Sequence, residues 1–104
     1  MHCANLDAAH MGTVPVDAYP AGDSALGCRQ MLGNVWEWTA SDFLPYPGFS
    51  SDCYTEYSRP LFANTKVLRG GAWTTRTRML RNTWRDCYGP ERNDVFAGFR
   101  TCAQ

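Results

Sequence analysis

The chain has 104 residues, and its ten Lys and Arg side chains are balanced by ten Asp and Glu side chains. This balance excludes a global field that would recruit nucleic acid or an acidic membrane surface, and no run approaches the ~18 apolar residues of a membrane span. The opening Met1-His2-Cys3 has neither the basic nor the apolar stretch of a signal peptide, so a cytoplasmic location is predicted.

The cysteines and histidines predict neither a disulfide framework nor a metal site. With only two histidines, His2 and His10, the sequence has no His-x-x-x-His pair. An odd number of cysteines without a Cys-x-x-Cys pair is typical of reduced thiols in a cytosolic protein. The five cysteines are Cys3, Cys28, Cys53, Cys87 and Cys102.

The N-terminal half is predicted to be rich in turns. Residues 1–28 are punctuated by proline and glycine, with one alternating piece at 13–16 that predicts an edge strand. Residues 30–39 are apolar enough for a buried strand or turn. Residues 41–60 are again turn-rich, with a strong chain reversal at 46–48, Tyr-Pro-Gly.

Three further short strands are predicted in the C-terminal half. Residues 66–73, KVLRGGAW, indicate a strand interrupted by a glycine pair, where a bulge or a close backbone approach is needed. Residues 79–84 and 95–100 predict two more. Because no helical apolar stripe appears, the sequence predicts a coil-rich α+β or β domain. Aromatic residues make up 13% of the chain, which is costly to bury in so small a module and indicates a piece of something larger.

Glu37 lies between Trp36 and Trp38 in the stretch GNVWEW. A buried carboxylate without a partner costs several kcal/mol, so Glu37 is predicted to pair with an arginine such as Arg69 or Arg100.

Four ordered motifs carry a family resemblance: GNVWEWTASDF, VLRGGAW, RNTWR and AGFRTC. Together they resemble the C-terminal half of the formylglycine-generating-enzyme/sulfatase-modifying-factor domain, over about residues 27–102. The resemblance implies an α+β, coil-rich C-type-lectin-like fold with short antiparallel strands, in an incomplete form. In some members the glutamate that matches Glu37 helps to hold calcium, which makes Ca²⁺ the alternative partner, although Gln30 here replaces an asparagine of those members.

Two branches of this family are distinguished by single positions. Formylglycine-generating enzymes bind copper through two cysteines, and the matching residues here are Thr75 and Leu80, which cannot ligate Cu(I). The segments DFLPYPGF and CYTEYSRPLF instead resemble the ergothioneine-pathway sulfoxide synthases. These are non-haem iron enzymes that join a cysteine or γ-glutamylcysteine thiol to N-α-trimethylhistidine using oxygen.

The resemblance to the sulfoxide synthases implies the site residues. Tyr54 is the expected catalytic proton or hydrogen-bond donor, since its unperturbed pKa near 10 keeps a phenol protonated, and Tyr57 is expected to help hold trimethylhistidine. The expected contacts to the substrates come from the loop RDCYGPERNDVF, through Asp86, Cys87, Tyr88 and Arg92. Better-known members have Asn, Trp and Asp in place of residues 86–88. The loss of the acidic residue at 88 makes free cysteine, or a differently held thiol, a plausible substrate.

In the sulfoxide synthases, Fe(II) is held by histidines of an N-terminal DinB-type domain. This chain contains no such histidines, so residues 1–104 are interpreted as the C-terminal portion, inactive alone and completed by an N-terminal domain or another chain. The expected partners are small-molecule substrates, without nucleic acid or membrane. The alternatives are a non-catalytic lectin-fold binding or display module and a pseudoenzyme.

Overall fold

A computed structural model describes residues 3–50 and 61–102 of the chain. This part contains few regular elements, and most of it is turns and loops. Pro20–Gly22 and Thr77–Met79 form short 3-10 helices. Its four strands are β1 (Trp36–Asp42), β2 (Lys66–Arg69), β3 (Asp86–Tyr88) and β4 (Ala97–Gly98).

The four strands form one mixed sheet in the order β3-β2-β1-β4. The pairs β1/β2 and β2/β3 are antiparallel, whereas β4 lies parallel to β1. The predicted coil-rich fold with short strands is therefore confirmed. The expectation of antiparallel strands is right for two of the three pairings and wrong for β4. Beside the parallel pair of β1 and β4, Trp36 N–H donates a hydrogen bond to Phe96 O (2.8 Å).

The core lies on one face of this sheet. Leu68 of β2 has no exposed surface and packs with Trp36 and Ala72. The Trp84 ring meets Trp36 edge to face, with 5.1 Å between the ring centroids, a geometry that adds to the area they bury. A close approach at the glycine pair is confirmed, because a Cβ on Gly70 would lie 2.7 Å from the carbonyl oxygen of Met31.

In the N-terminal half, one predicted strand does not form and another begins later than predicted. Residues 13–16 form no strand, since Val14 directs its N–H to Asn34 Oδ1 (2.9 Å) and accepts from Asn34 Nδ2 (3.3 Å). Within 30–39, the strand begins only at Trp36, because Gln30 and Asn34 take positive φ values of 58° and 67°. A left-handed backbone cannot continue a strand.

The predicted strands of the C-terminal half also shift. Residues 79–84 are not a strand: the second 3-10 helix ends at Met79, and a turn brings Trp84 N–H to Arg81 O (3.1 Å). The strand follows at Asp86. Within 95–100 only Ala97–Gly98 pair with β1, and β2 ends at Arg69 before the glycine pair.

Several large apolar side chains are exposed among the described residues. Leu26 is 92% exposed and Phe99 77% exposed. No helix in the described part has the length and apolar character needed to cross a bilayer.

We predict that Leu68→Ala reduces the free energy of unfolding by about 2–5 kcal/mol, because it leaves a cavity at the centre of the core. Leu26→Ala is the matched control and should change it by less than about 0.5 kcal/mol, since Leu26 is exposed. Urea denaturation followed by tryptophan fluorescence measures both. Equal losses in the two variants would contradict this description of the core.

Candidate substrate-binding site

Three of the predicted site residues form the edge strand β3. Its register places Asp86 opposite Leu68 and Cys87 opposite Val67 of β2. Because side chains alternate along a strand, Asp86 and Tyr88 share one face while Cys87 lies on the other. The structure therefore divides residues that the sequence predicted to act together.

Tyr88 packs against the core on the face that it shares with Asp86. Burial raises the pKa of the Tyr88 phenol, and the negative charge of Asp86 and a hydrogen bond to its carboxylate raise it further, while Arg92 acts in the opposite direction. The phenol consequently stays protonated at neutral pH and can donate a hydrogen bond. The Asp86 carboxylate accepts from the N–H of Cys87 (2.8 Å) and keeps other acceptor positions.

Arg92 lies just beyond the turn that follows β3. Its guanidinium stands 4.9 Å from the centroid of the Tyr88 ring and forms a two-pronged bridge to Asp94, with N–O distances of 2.6 and 2.8 Å. These hydrogen bonds lower the pKa of Asp94. The guanidinium of Arg92, which is suited to a substrate carboxylate, thus binds the carboxylate of Asp94 instead. Because this pair is exposed, a substrate carboxylate can replace that of Asp94.

Cys87 faces a cavity with aromatic walls. We define the aromatic cavity, about 290 Å³ in volume, by Phe43, Tyr46, Phe49, Phe62, Arg85 and Cys87. Burial raises the pKa of the Cys87 thiol, with a hydrogen bond to Thr65 acting in the opposite direction. At neutral pH this side chain is therefore a neutral thiol and a wall of the cavity.

Arg85 was not among the predicted site residues, and it supplies the positive charge of the aromatic cavity. Its guanidinium lies 4.3 Å from the Phe43 centroid and 3.9 Å from that of Tyr46, and it donates to Leu44 O (2.6 Å). The sequence could have indicated Arg85 as a site residue, since it directly precedes the predicted site residues of β3. Its stacking partners lie some forty positions away along the chain and could not be assigned from spacing.

Tyr54 and Tyr57 lie outside the described residues. The two ends of the described chain beside them are nevertheless fixed against each other: Phe49 meets Phe62 edge to face at 5.7 Å between centroids, and Phe62 stacks on Phe43 at 5.5 Å. Phe43, Phe49 and Phe62 therefore form one cluster on a wall of the aromatic cavity.

Glu37 is paired with Arg100, one of the two partners predicted from the sequence. Arg100 reaches both carboxylate oxygens, at 2.5 and 3.2 Å, and also donates to the backbone oxygen of Gln30 (3.0 Å). The amide Oε1 of Gln30 is buried without a hydrogen-bond partner. Oxygen donors suited to calcium are thus present, but Arg100 already supplies the positive charge there, and the calcium site stays a prediction.

The described residues do not fit an iron centre. No group of three or more His, Cys, Asp or Glu side chains in 3–50 and 61–102 could hold a metal ion. His10 directs its ring towards Gly12 O at an exposed position. The described donor set therefore gives iron no place to bind.

Thr75 and Leu80, which the resemblance places at the copper cysteines, both lie against Gly71. A Cβ added there would lie 3.2 Å from Thr75 Oγ1 and 3.3 Å from Leu80 Cδ1. The Thr75 hydroxyl oxygen instead accepts from Ala72 N–H (2.9 Å). Neither side chain offers sulfur, so this pair cannot hold Cu(I).

The chain matches the model of the sulfatase-modifying factor enzyme 1-like domain over residues 2–104. It is 48% identical over 98 residues to a hercynine oxygenase of Mycobacterium tuberculosis, covering 93% of this chain and 23% of that protein. A hercynine oxygenase of Mycolicibacterium thermoresistibile is 46% identical over 102 residues, with 93% and 23% covered. The chain thus spans less than a quarter of these curated relatives.

A formylglycine-generating enzyme of Mycobacterium tuberculosis matches over a shorter stretch. It is 47% identical over 36 residues, which is 35% of this chain and 11% of that enzyme. The similarity to the hercynine oxygenases extends over far more of the sequence.

We predict that Glu37→Gln lowers the free energy of unfolding by about 1 kcal/mol, because a charge-assisted bridge to Arg100 is lost. Asp42→Asn is the matched control, since it breaks the more exposed pair with Lys66 and should cost less than about 0.5 kcal/mol. Thermal melts with and without millimolar calcium measure both. Stabilisation of the wild type by calcium, absent in Glu37→Gln, would show that a cation displaces Arg100.

We predict that Cys87 is alkylated by iodoacetamide more slowly than Cys3, Cys28 and Cys102, which are exposed. A raised pKa leaves less thiolate at a given pH, so the reaction of Cys87 should accelerate only as the pH rises. Mass spectrometry of time points gives the four rates, and urea-unfolded chain is the control in which they should converge. Equal rates for Cys87 and Cys28 in the folded chain would contradict the prediction.

Proposed function

Since the chain belongs to the sulfatase-modifying factor enzyme 1-like domain family, we propose that it is the substrate-binding C-terminal part of an iron(II)- and oxygen-dependent sulfoxide synthase of ergothioneine biosynthesis. The reaction joins a cysteine or γ-glutamylcysteine thiol to hercynine, which is N-α-trimethylhistidine. The observation that carries the proposal is the identity of 46–48% over 93% of the chain to proteins named hercynine oxygenase. Under this proposal the iron is held by residues beyond the described ones.

Asp86 and Tyr88 are proposed to receive the trimethylammonium group. Their shared face offers a carboxylate and an aromatic ring, and a cation over such a ring gains about 0.5–2 kcal/mol. At present the guanidinium of Arg92 takes the position over Tyr88. A quaternary ammonium would displace it.

Displacement of Arg92 from the Tyr88 ring frees its guanidinium to bind another group. Once it leaves Tyr88 and Asp94, its fork can bind the carboxylate of a substrate in the same two-pronged geometry. The exposed position of the Arg92–Asp94 pair keeps the exchange inexpensive. Binding of the substrate cation and of its carboxylate would therefore be coupled through one side chain.

The thiol substrate is proposed to enter from the aromatic cavity, which Cys87 borders, and to meet hercynine across the free side of β3, the edge strand of the sheet. Tyr54 is the proposed proton or hydrogen-bond donor, and Tyr57 a further contact for hercynine. Because position 88 is a tyrosine and not an acid, nothing there would bind a glutamyl amine, which favours free cysteine.

A reducing, cytoplasmic location is also proposed, because an odd number of cysteines without a Cys-x-x-Cys pair is typical of reduced thiols. A calcium at Glu37 would serve as a structural ion, apart from the reaction. A display module of the same fold is the competing function, and the exposed turn after β3 is where its ligand would bind.

We predict that this domain consumes oxygen with hercynine and a thiol only when joined to an upstream histidine-bearing region that binds Fe(II). In that extended protein Tyr54→Phe should change the product or slow its formation by about 10²–10⁴-fold, the usual contribution of general acid catalysis. Tyr19→Phe is the matched control and should leave the rate unchanged. An oxygen electrode and mass spectrometry of products, with each thiol in turn, provide the measurement.

Three outcomes would contradict the proposal or part of it. If the extended protein binds no iron, the fold serves recognition without catalysis. If Tyr54→Phe behaves as Tyr19→Phe does, Tyr54 is not the donor. If only γ-glutamylcysteine is consumed, the assignment of free cysteine is wrong.

A further inference from the structure

A second cavity, of about 490 Å³, lies between the N-terminal loop, the segment before β1 and the turn before β3. No aspartate or glutamate lines it. We call it the arginine cavity, after the two cations among the side chains used below: Met31, Leu32, Arg69, Arg81, Asn82 and Trp84.

Arg69 is a half-buried cation without a carboxylate partner among the described residues. In the register of β1 and β2 it stands opposite Glu37, but Glu37 is held by Arg100. Arg69 instead donates to the backbone oxygen of Asn82. A neutral carbonyl satisfies one N–H and leaves the charge uncompensated.

Arg81 brings a second uncompensated charge to the same cavity. It uses one nitrogen, Nη1, to donate to the carbonyls of Arg78 (3.2 Å) and Leu80 (3.1 Å). In the described part of the chain it forms no ion pair. Its other N–H groups can still point towards a ligand in the cavity.

The sequence around Arg81 adds no acidic side chain to compensate these two charges. Residues 76–85 contain four arginines and no acid. Two like charges that line one cavity repel each other. An anion between them would relieve both costs at once.

We propose that the arginine cavity binds a small organic oxyanion, a carboxylate or a phosphate ester. Guanidinium groups match these oxyanions with paired hydrogen bonds, and Met31, Leu32 and Trp84 give the organic part of the ligand an apolar wall. The volume lies within the range of small-molecule sites, about 300–1,000 Å³. The site shares no residue with β3 or the aromatic cavity, so it is independent of the proposed function.

The test is titration of the chain with benzoate and, separately, inorganic phosphate at constant ionic strength. Tryptophan fluorescence is the readout, since Trp84 lines the cavity and touches Trp36. Saturable binding is expected for the wild type, weakened at least tenfold in Arg69→Gln and in Arg81→Gln. The tighter of the two probes identifies the headgroup as carboxylate or phosphate.

Arg78→Gln is the matched control, because it removes the same charge from an exposed side chain outside the arginine cavity. Its affinity should stay within twofold of the wild type. Arg69→Lys keeps the charge but not the fork, and an intermediate loss is expected. If Arg69→Gln fails to fold, the exposed Arg81 carries the test alone. No saturable response to either anion, or an equal loss in Arg78→Gln, would overturn the proposal.

Discussion

The buried amide of Asn34 holds three segments of the chain together. Its Oδ1 accepts from Asn5 Nδ2 (3.1 Å) and from Val14 N–H (2.9 Å), while its backbone bonds to Asn5 O (3.0 Å) and to Trp73 N–H (2.8 Å). In a chain with so few strands, these bonds take the place of a ladder. Asparagine suits the position because it tolerates the left-handed backbone, here with φ of 67°.

The candidate site depends on this arrangement through the sheet. β1 starts two residues after Asn34 and aligns β2, which in turn aligns β3. The register of β3 decides which face receives Asp86 and Tyr88 and which receives Cys87. A shift of one residue would exchange these faces. The chemistry proposed for the edge strand thus depends on the register of the sheet.

The sequence predicted the parts of the fold that local chemistry determines. The glycine pair indicated a close backbone approach and Glu37 indicated an arginine partner, and both predictions are confirmed. The lack of a helical apolar stripe predicted a coil-rich domain, and the family resemblance added its fold family.

Other features depended on contacts that spacing does not reveal. Val14 was expected in a strand, but its N–H bonds to the side chain of Asn34. The strand expected at 79–84 lies at 86–88, and Trp84 before it packs against Trp36 in the core. The division of β3 between two faces follows from its register. The pairing of Arg92 with Asp94 and the stacking of Arg85 on Phe43 and Tyr46 are tertiary as well.

The most direct test of the central claim is a crystal structure of this domain, within its complete polypeptide, bound to hercynine. The account predicts the trimethylammonium group beside Asp86 and over the ring of Tyr88, with Arg92 moved from its present contact. A trimethylammonium group in the aromatic cavity beside Arg85, or hercynine bound away from β3, would contradict it.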